Sequence, residues 1–235
     1  MSSFKIKKNL NLFYWIFYAV ANFLLYPVVL VFFKVRIYGY RKFLEWRKDH
    51  KNSFIVIAHH KSFWDVTFPS VAFGSKPENL LNYIAKANIG KYLRFIPFLN
   101  NYVIYVDREN FKVSTFKKII KILKEGGNIA IFPEGTTVPQ GQKPNRGVIQ
   151  IIRKAEKLTN EEIPIFPLNI KAKGPYGKPK GKWFYYLLRK VKIELRIGNP
   201  IYLKNLESRA RSKNPFDKNQ EKMIVEKLLR EIDKT

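Results

Sequence analysis

Short apolar runs that end in polar clusters recur along this chain, and they alternate with stretches whose apolar positions fall three and four residues apart. "SFIVIA" (Ser53 to Ala58), "LLNYIA" (Leu80 to Ala85), "YVIYV" (Tyr102 to Val106) and the run opening at Asn128 in "NIAIFPEG" are short and mostly rich in β-branched residues. Each reads as a strand, and Ile163 to Ile170 and Val191 to Ile197 read the same way. Between Phe111 and Lys124, Phe116, Ile119, Ile120 and Leu123 recur at helical spacing among lysines, and Gly126-Gly127 supplies the stop. The pattern predicts further helices over Val148 to Leu158 and Lys218 to Asp233, with a short one in "NIGKYLRF". Lys171 to Lys182, rich in Gly, Pro and Lys, is expected to be a mobile loop. Alternating strands and helices predict an α/β fold with a largely parallel sheet flanked by helices.

The N-terminus departs from that alternation. From Asn9 to Phe33 no charge occurs over 25 residues, with Lys7 and Lys8 before the run and Lys34 and Arg36 after it. A bilayer takes about 20 apolar residues, so the run is long enough to cross one. It exceeds the apolar core of a cleaved signal peptide, usually about 7–15 residues, and no small-residue cleavage site follows. Pro27 lacks an N–H donor and is expected to kink or split the helix, so one crossing helix and two helices lying in one leaflet are both open. The expected organisation is therefore a membrane-associating segment over residues 1–36 and a catalytic domain over 37–235.

Charge narrows the partners. Lys and Arg number 44 against 18 Asp and Glu, a formal net charge of +26, which points to a polyanion: nucleic acid or an anionic membrane. No RNP, zinc-finger or helix-turn-helix signature is present, and the aromatics concentrate in apolar runs, so anionic membrane lipids are the expected partner and no nucleic acid is expected. The expected location is the cytoplasmic face of the cell membrane. There is no cysteine, which removes disulfides, thiolate zinc sites and a cysteine nucleophile together.

The polar clusters carry the candidate chemistry. "HHKSFWD", Asp107-Arg108 and Glu134 to Thr137 each follow an apolar strand-like run, and in open α/β sheets ligands bind beyond those carboxyl ends. A histidine becomes a general base near neutral pH when a neighbour fixes its tautomer, and Asp65 lies five residues beyond His60. On one continuous helix positions five apart point away from each other, so a His60–Asp65 contact requires His60 in a loop and Asp65 in the first turn of the next helix. The same spacing also fits a histidine that merely caps a helix opened by Asp65. Ser62 lacks the Gly-x-Ser-x-Gly setting of an elbow nucleophile, and His59-His60 has no matching ligands for a metal pair, so no metal is expected. A base without its own nucleophile implies that the substrate brings one.

The His-x4-Asp of "HKSFWD", the "YVDR", the "FPEGT" and the "IPIFPLNI" strand resemble, in order, the four motif blocks of the glycerolipid acyltransferase family, over roughly Ser53 to Ile170. The resemblance implies acyl transfer from acyl-CoA or acyl-carrier protein, as co-substrate with no other cofactor, to the free hydroxyl of lysophosphatidate, giving phosphatidate. It implies His60 as base and Asp65 as its orienter, and it assigns Glu134, Gly135 and Thr136 to acceptor binding. Arg108 and Lys86 would meet the phosphate, and Pro167 matches the block on the acyl-donor side. Read without the resemblance, Arg108 could instead pair with Asp107 or Glu109, and Glu134 could open a helix. The family commonly has Arg where this chain has Thr137, and Lys143 or Arg146 is a candidate replacement unless the acceptor is another lipid, such as a lyso-ornithine lipid, or glycerol-3-phosphate. Backbone N–H groups at the histidine motif's turn are expected to hold the oxyanion.

Overall fold

The computed structural model describes residues 29, 33–74, 76–86, 103–106, 113–135, 146–173, 191–208 and 218–235. Among the described residues seven strands form one sheet: β1 (Phe33–Tyr38), β2 (Ile55–Ala58), β3 (Leu81–Lys86), β4 (Val103–Val106), β5 (Asn128–Ile131), β6 (Ile165–Lys173) and β7 (Val191–Ile197). Their order across the sheet is β1-β7-β6-β2-β5-β3-β4. From β6 through β4 all neighbours are parallel; β7 runs antiparallel to β6, and β1 runs parallel to β7. The expected α/β fold with its largely parallel sheet is what the chain adopts.

The central strands explain their own placement. β2 (IVIA) and β5 (NIAI) are buried at every position, which suits strands covered on both faces. One face holds Ile55, Ile57, Ile129 and Ile131 against α3 (Val113–Lys124), α4 (Gly147–Thr159) and α6 (Lys218–Lys234), with α5 (Leu203–Glu207) beside them. These helices supply inward stripes: Ile119, Ile120 and Leu123 from α3, Val148 to Ala155 from α4, and Ile224, Val225, Leu228 and Ile232 from α6. The other face holds Phe54, Val56, Ala58, Phe166 and Leu168 against α1 (Tyr40–Asp49) and α2 (Phe68–Phe73). There Phe43 meets Phe54, Phe73 and Phe166 edge-on at centroid distances of 5.5, 4.8 and 5.3 Å, the arrangement aromatic quadrupoles favour.

Residues 37–52 carried no predicted element, yet β1 and α1 occupy most of the chain from 33 to 49. Phe33, the last residue of the uncharged run, is the first of β1, and the strand passes through residue 36. Phe33 is fully buried, its ring 5.2 Å from Trp64 and 5.5 Å from Phe68, both edge-on. Gly39, at φ 82, lets the chain turn directly from β1 into α1; a Cβ there would lie 2.3 Å from the Ile197 carbonyl oxygen. Lys171–Lys173, expected in a loop, continue β6 instead, because pairing with β7 extends to Lys192. Residues 1–28 and 30–32 of the proposed membrane segment, the short helix expected at 88–95 and residues 174–182 of the expected loop lie outside the described residues. Among the described residues no helix is long and apolar enough to cross a membrane.

If β1 is part of the folded unit rather than the tail of a separate segment, Phe33→Ala removes a buried ring from its core. The expected loss in unfolding free energy is about 3–5 kcal/mol, read as a lowered urea midpoint. An unchanged midpoint would detach β1 from the domain.

Candidate active site

β2 delivers its chain at Ala58 to the carboxyl edge of the sheet, and His59 and His60 follow in irregular backbone. The next turn, Phe63–Val66, is a short 3₁₀ helix capped from both sides. Ser62 Oγ accepts from the Trp64 N–H at 3.4 Å, and Asp65 Oδ2 accepts from the Ser62 N–H at 2.5 Å. The Lys61 N–H donates to the same Asp65 oxygen at 2.5 Å. Asp65 is 1% exposed, and these backbone donors are what hold a carboxylate at that depth. His60 Nδ1 stands 3.6 Å from Asp65 Oδ2, within ion-pair range and just beyond a hydrogen bond. His60 in the loop and Asp65 in the following turn match the spacing expectation, and the capping role and the contact with His60 coexist on one carboxylate.

β5, hydrogen-bonded to β2, ends beside this turn. Its continuation Phe132-Pro133-Glu134-Gly135 closes with the Gly135 N–H donating to the Phe132 carbonyl at 2.8 Å. Gly135 sits at φ 68, a conformation glycine adopts without steric cost. The Phe132 ring packs against the His60 imidazole at 4.8 Å between centroids, a support that sequence reading did not find. Glu134 Oε1 pairs with His59 Nδ1, and His59 Nε2 lies 3.3 Å from Asp233 Oδ1 near the end of α6. His59 therefore stands between the two sheet-edge motifs and the C-terminal helix. Burial pushes the Glu134 carboxyl up, but hydrogen bonds from His59, from its own N–H and from the His60 N–H outweigh burial and hold it below its ordinary 4.5.

Those bonds change one expectation. The amides of Lys61 and Ser62 serve Asp65, that of Trp64 serves Ser62 Oγ, and that of Asp65 donates to the Ser62 carbonyl at 3.1 Å. Each is spent inside the protein, because the buried Asp65 and the turn itself need them. An oxyanion held by these four amides is not what this geometry offers.

The remaining candidates divide. β3, next to β5, ends at Lys86, so that residue's backbone reaches the same edge. In the same strand burial pushes the Tyr83 phenol up to about 12, and its hydroxyl lies 2.6 Å from Ser70 Oγ of α2, fixing the helix to the strand. Arg108 and Thr136 lie outside the described residues, as do Thr137 and Lys143. β4, which Asp107 and Arg108 follow, is hydrogen-bonded to β3. Arg146 opens α4 with its guanidinium 3.9 Å from Glu221 of α6, a carboxylate that Arg153 also meets at 3.1 Å. Pro167 is a strand residue of β6 opposite Ile57, its carbonyl accepting from the Gly198 N–H at 2.9 Å. Among the described residues no group of three or more His, Asp or Glu side chains is arranged to hold a metal ion.

The strands β2, β5, β3 and β4 are thus consecutive neighbours; β2, β5 and β4 each end at one of the three polar clusters, and β3 ends at Lys86. Residues 34–171, from β1 into β6, match the family model described as Acyltransferase. The chain belongs to this acyltransferase family. The chain is 29% identical over 157 residues to a Bacillus subtilis (strain 168) protein named 1-acyl-sn-glycerol-3-phosphate acyltransferase, a match covering 64% of this chain and 68% of the relative. Residues 34–38 of β1 fall within the matched region.

Because Glu134 titrates below its ordinary value in the folded protein, its contribution to stability is present above about pH 4.5 and is lost as pH falls through the lowered value. Glu134→Gln is expected to flatten the acid side of the stability curve in urea titrations from pH 3 to 7. A curve as steep as that of the unaltered protein would show that Glu134 is not held by His59 in solution.

Proposed function

We propose that the acyltransferase moves a fatty acyl group from acyl-CoA or acyl-carrier protein to the sn-2 hydroxyl of 1-acylglycerol-3-phosphate, forming phosphatidate for phospholipid synthesis at a membrane surface. The observation that carries this reading is His60, backed by a buried Asp65 and a Phe132 ring and set at the sheet edge beside the Glu134 turn. The name and similarity of the Bacillus subtilis relative support the acceptor. In this reading His60 Nε2 takes the acceptor hydroxyl proton as that oxygen attacks the thioester carbonyl carbon. The carbon–sulfur bond then breaks, and the leaving thiolate recovers the proton from the imidazolium. Asp65 orients the ring through Nδ1, the 3.6 Å separation closing as positive charge develops on the imidazole. No acyl-enzyme forms, and holding hydroxyl and thioester together supplies much of the rate. Glu134 and Gly135, with Thr136, shape the acceptor pocket, while Arg108, Lys86 and Arg146 meet its phosphate.

A second acceptor, such as a lyso-ornithine lipid or glycerol-3-phosphate, is favoured by one pair of observations. Thr137 stands where the family commonly has Arg, and Arg146, a candidate to replace it, faces Glu221. The two readings part in an assay of free thiol released from several acyl-CoAs, with lysophosphatidate, glycerol-3-phosphate or no acceptor. Release that depends on lysophosphatidate is expected; release that needs a different acceptor selects the second reading.

His60→Ala is expected to lower kcat/KM by about 10²- to 10⁴-fold, the usual contribution of a general base, and Asp65→Asn nearly as much, with the folded circular dichroism spectrum retained. An active His60→Ala protein beside an inactive His59→Ala protein would reverse the assignment.

A further inference from the structure

The three-strand end of the sheet has one covered face and one open face. Phe33, Val35 and Ile37 of β1 and Val191, Ile193, Leu195 and Ile197 of β7 point into the aromatic core. The alternate positions therefore share the opposite face, and the register aligns them in rows. Lys34 lies beside Lys192 and Lys192 beside Lys173; Arg36 lies beside Glu194 and Glu194 beside Lys171; Tyr38 lies beside Arg196 and Arg196 beside Asn169. α6 packs over β6 and β2 on this side, its Asp233 carbonyl within 3.5 Å of Asn169 Nδ2. Lys34, Arg36, Lys171, Lys173 and Lys192 are exposed.

Strands about 4.8 Å apart and side chains about 6.6 Å apart along a strand confine this set to a nearly flat patch of roughly 10 by 14 Å. Glu194 is its only carboxylate among the described residues. It is taken up by Arg196 at 3.1 Å and Lys173 at 3.3 Å, bonds that hold its carboxyl below the usual range. Lys34, Arg36, Lys171 and Lys192 have no acidic partner among the described residues. Like charges set side by side across strands repel. An ordinary solvated face relieves that with alternating signs, and protection of the edge strand against pairing accounts for lysines on β1 alone. Neither accounts for the row Lys34-Lys192-Lys173, which calls for negative charge from outside.

Position identifies its source. That row lies at the start of β1 and β7 and the end of β6, the same sheet edge at which β2 delivers His60. The uncharged run from Asn9 enters the sheet there at Phe33, whose ring touches Trp64 of the histidine motif's turn. We propose that the open face of β1-β7-β6, through Lys34, Arg36, Lys171, Lys173 and Lys192, docks the enzyme on the anionic headgroups of a lipid bilayer, with the catalytic edge directed at the same surface. The proposal rests on the reading of the site as a lipid acyltransferase working at a membrane.

The test compares the full chain with Lys34→Gln/Arg36→Gln/Lys192→Gln and with a control of equal net charge, Lys117→Gln/Lys118→Gln/Lys124→Gln, whose lysines are exposed on α3. Binding is measured to phosphatidylcholine vesicles and to equimolar phosphatidylcholine and phosphatidylglycerol at low salt. Each headgroup-facing cation contributes about fivefold, so the face variant should lose about 100-fold of its preference for anionic vesicles, while the control stays within about twofold of the parent. Turnover of a short-chain acceptor free in solution should be equal in all three, and its loss would indict the site reading rather than the docking face. If the triple variant proves misfolded, Lys34→Gln/Lys192→Gln should show a loss of about 25-fold. Equal losses in face and control variants would reduce the effect to net charge and overturn the proposal. So would an undiminished preference, or a loss confined to RNA binding.

Discussion

A carboxylate buried at the end of a strand must be surrounded by donors, and Asp65 obtains them from the turn that it caps. Its Oδ2 draws in the Lys61 and Ser62 amides, which folds "HHKSFWD" into a compact loop and 3₁₀ turn rather than an extension of β2. That fold fixes where His60 can be, 3.6 Å from the same oxygen with Phe132 against its ring. Unpaired Asp65 would carry the full cost of desolvation, so the motif's local structure and its chemistry are the same constraint.

The sheet carries that constraint to the other motifs. Parallel pairing of β2 with β5 aligns Ile57 with Ile131, so the residues after the two strands emerge side by side. His59 then reaches Glu134, and through its other nitrogen Asp233 on α6. The Glu134 turn, the His59-His60 segment and the C-terminal helix are therefore joined by one imidazole with a carboxylate on each side. On the opposite face Phe33 packs against Trp64, so the first strand supports the catalytic turn while continuing directly from the N-terminal apolar run.

Six of the seven strands were legible in the sequence because burial on both faces, or alternation beside a core, leaves a clear apolar signature. β1 was not, because Phe33 ends an uncharged run and charge is what marked the boundary; the alternation of "FKVRIY" is visible only once Phe33 is counted inward. α1, α2 and α5 escaped because they show too little helical period: Phe43 alone is buried in α1, and α2 and α5 are only six and five residues long. In the site, His60 and Asp65 were legible because their contact is local. His59 was not, since its partners lie 75 residues away at Glu134 and near the C-terminus at Asp233, and no spacing rule reaches that far. The Lys61 and Ser62 amides look free in the sequence for the opposite reason: nothing local in the pattern shows that a buried carboxylate claims them.

In the proposed mechanism Asp65 sets the imidazole of His60 with its proton on Nδ1, leaving Nε2 to accept the hydroxyl proton. With three histidines in the chain, ¹⁵N-histidine NMR can resolve the rings, and His50→Gln and His59→Gln variants assign them. In the neutral ring, His60 is expected to be the Nδ1–H tautomer, and Asp65→Asn is expected to abolish this preference. An Nε2–H tautomer for His60 in the unaltered protein would leave no lone pair facing the substrate and would contradict it.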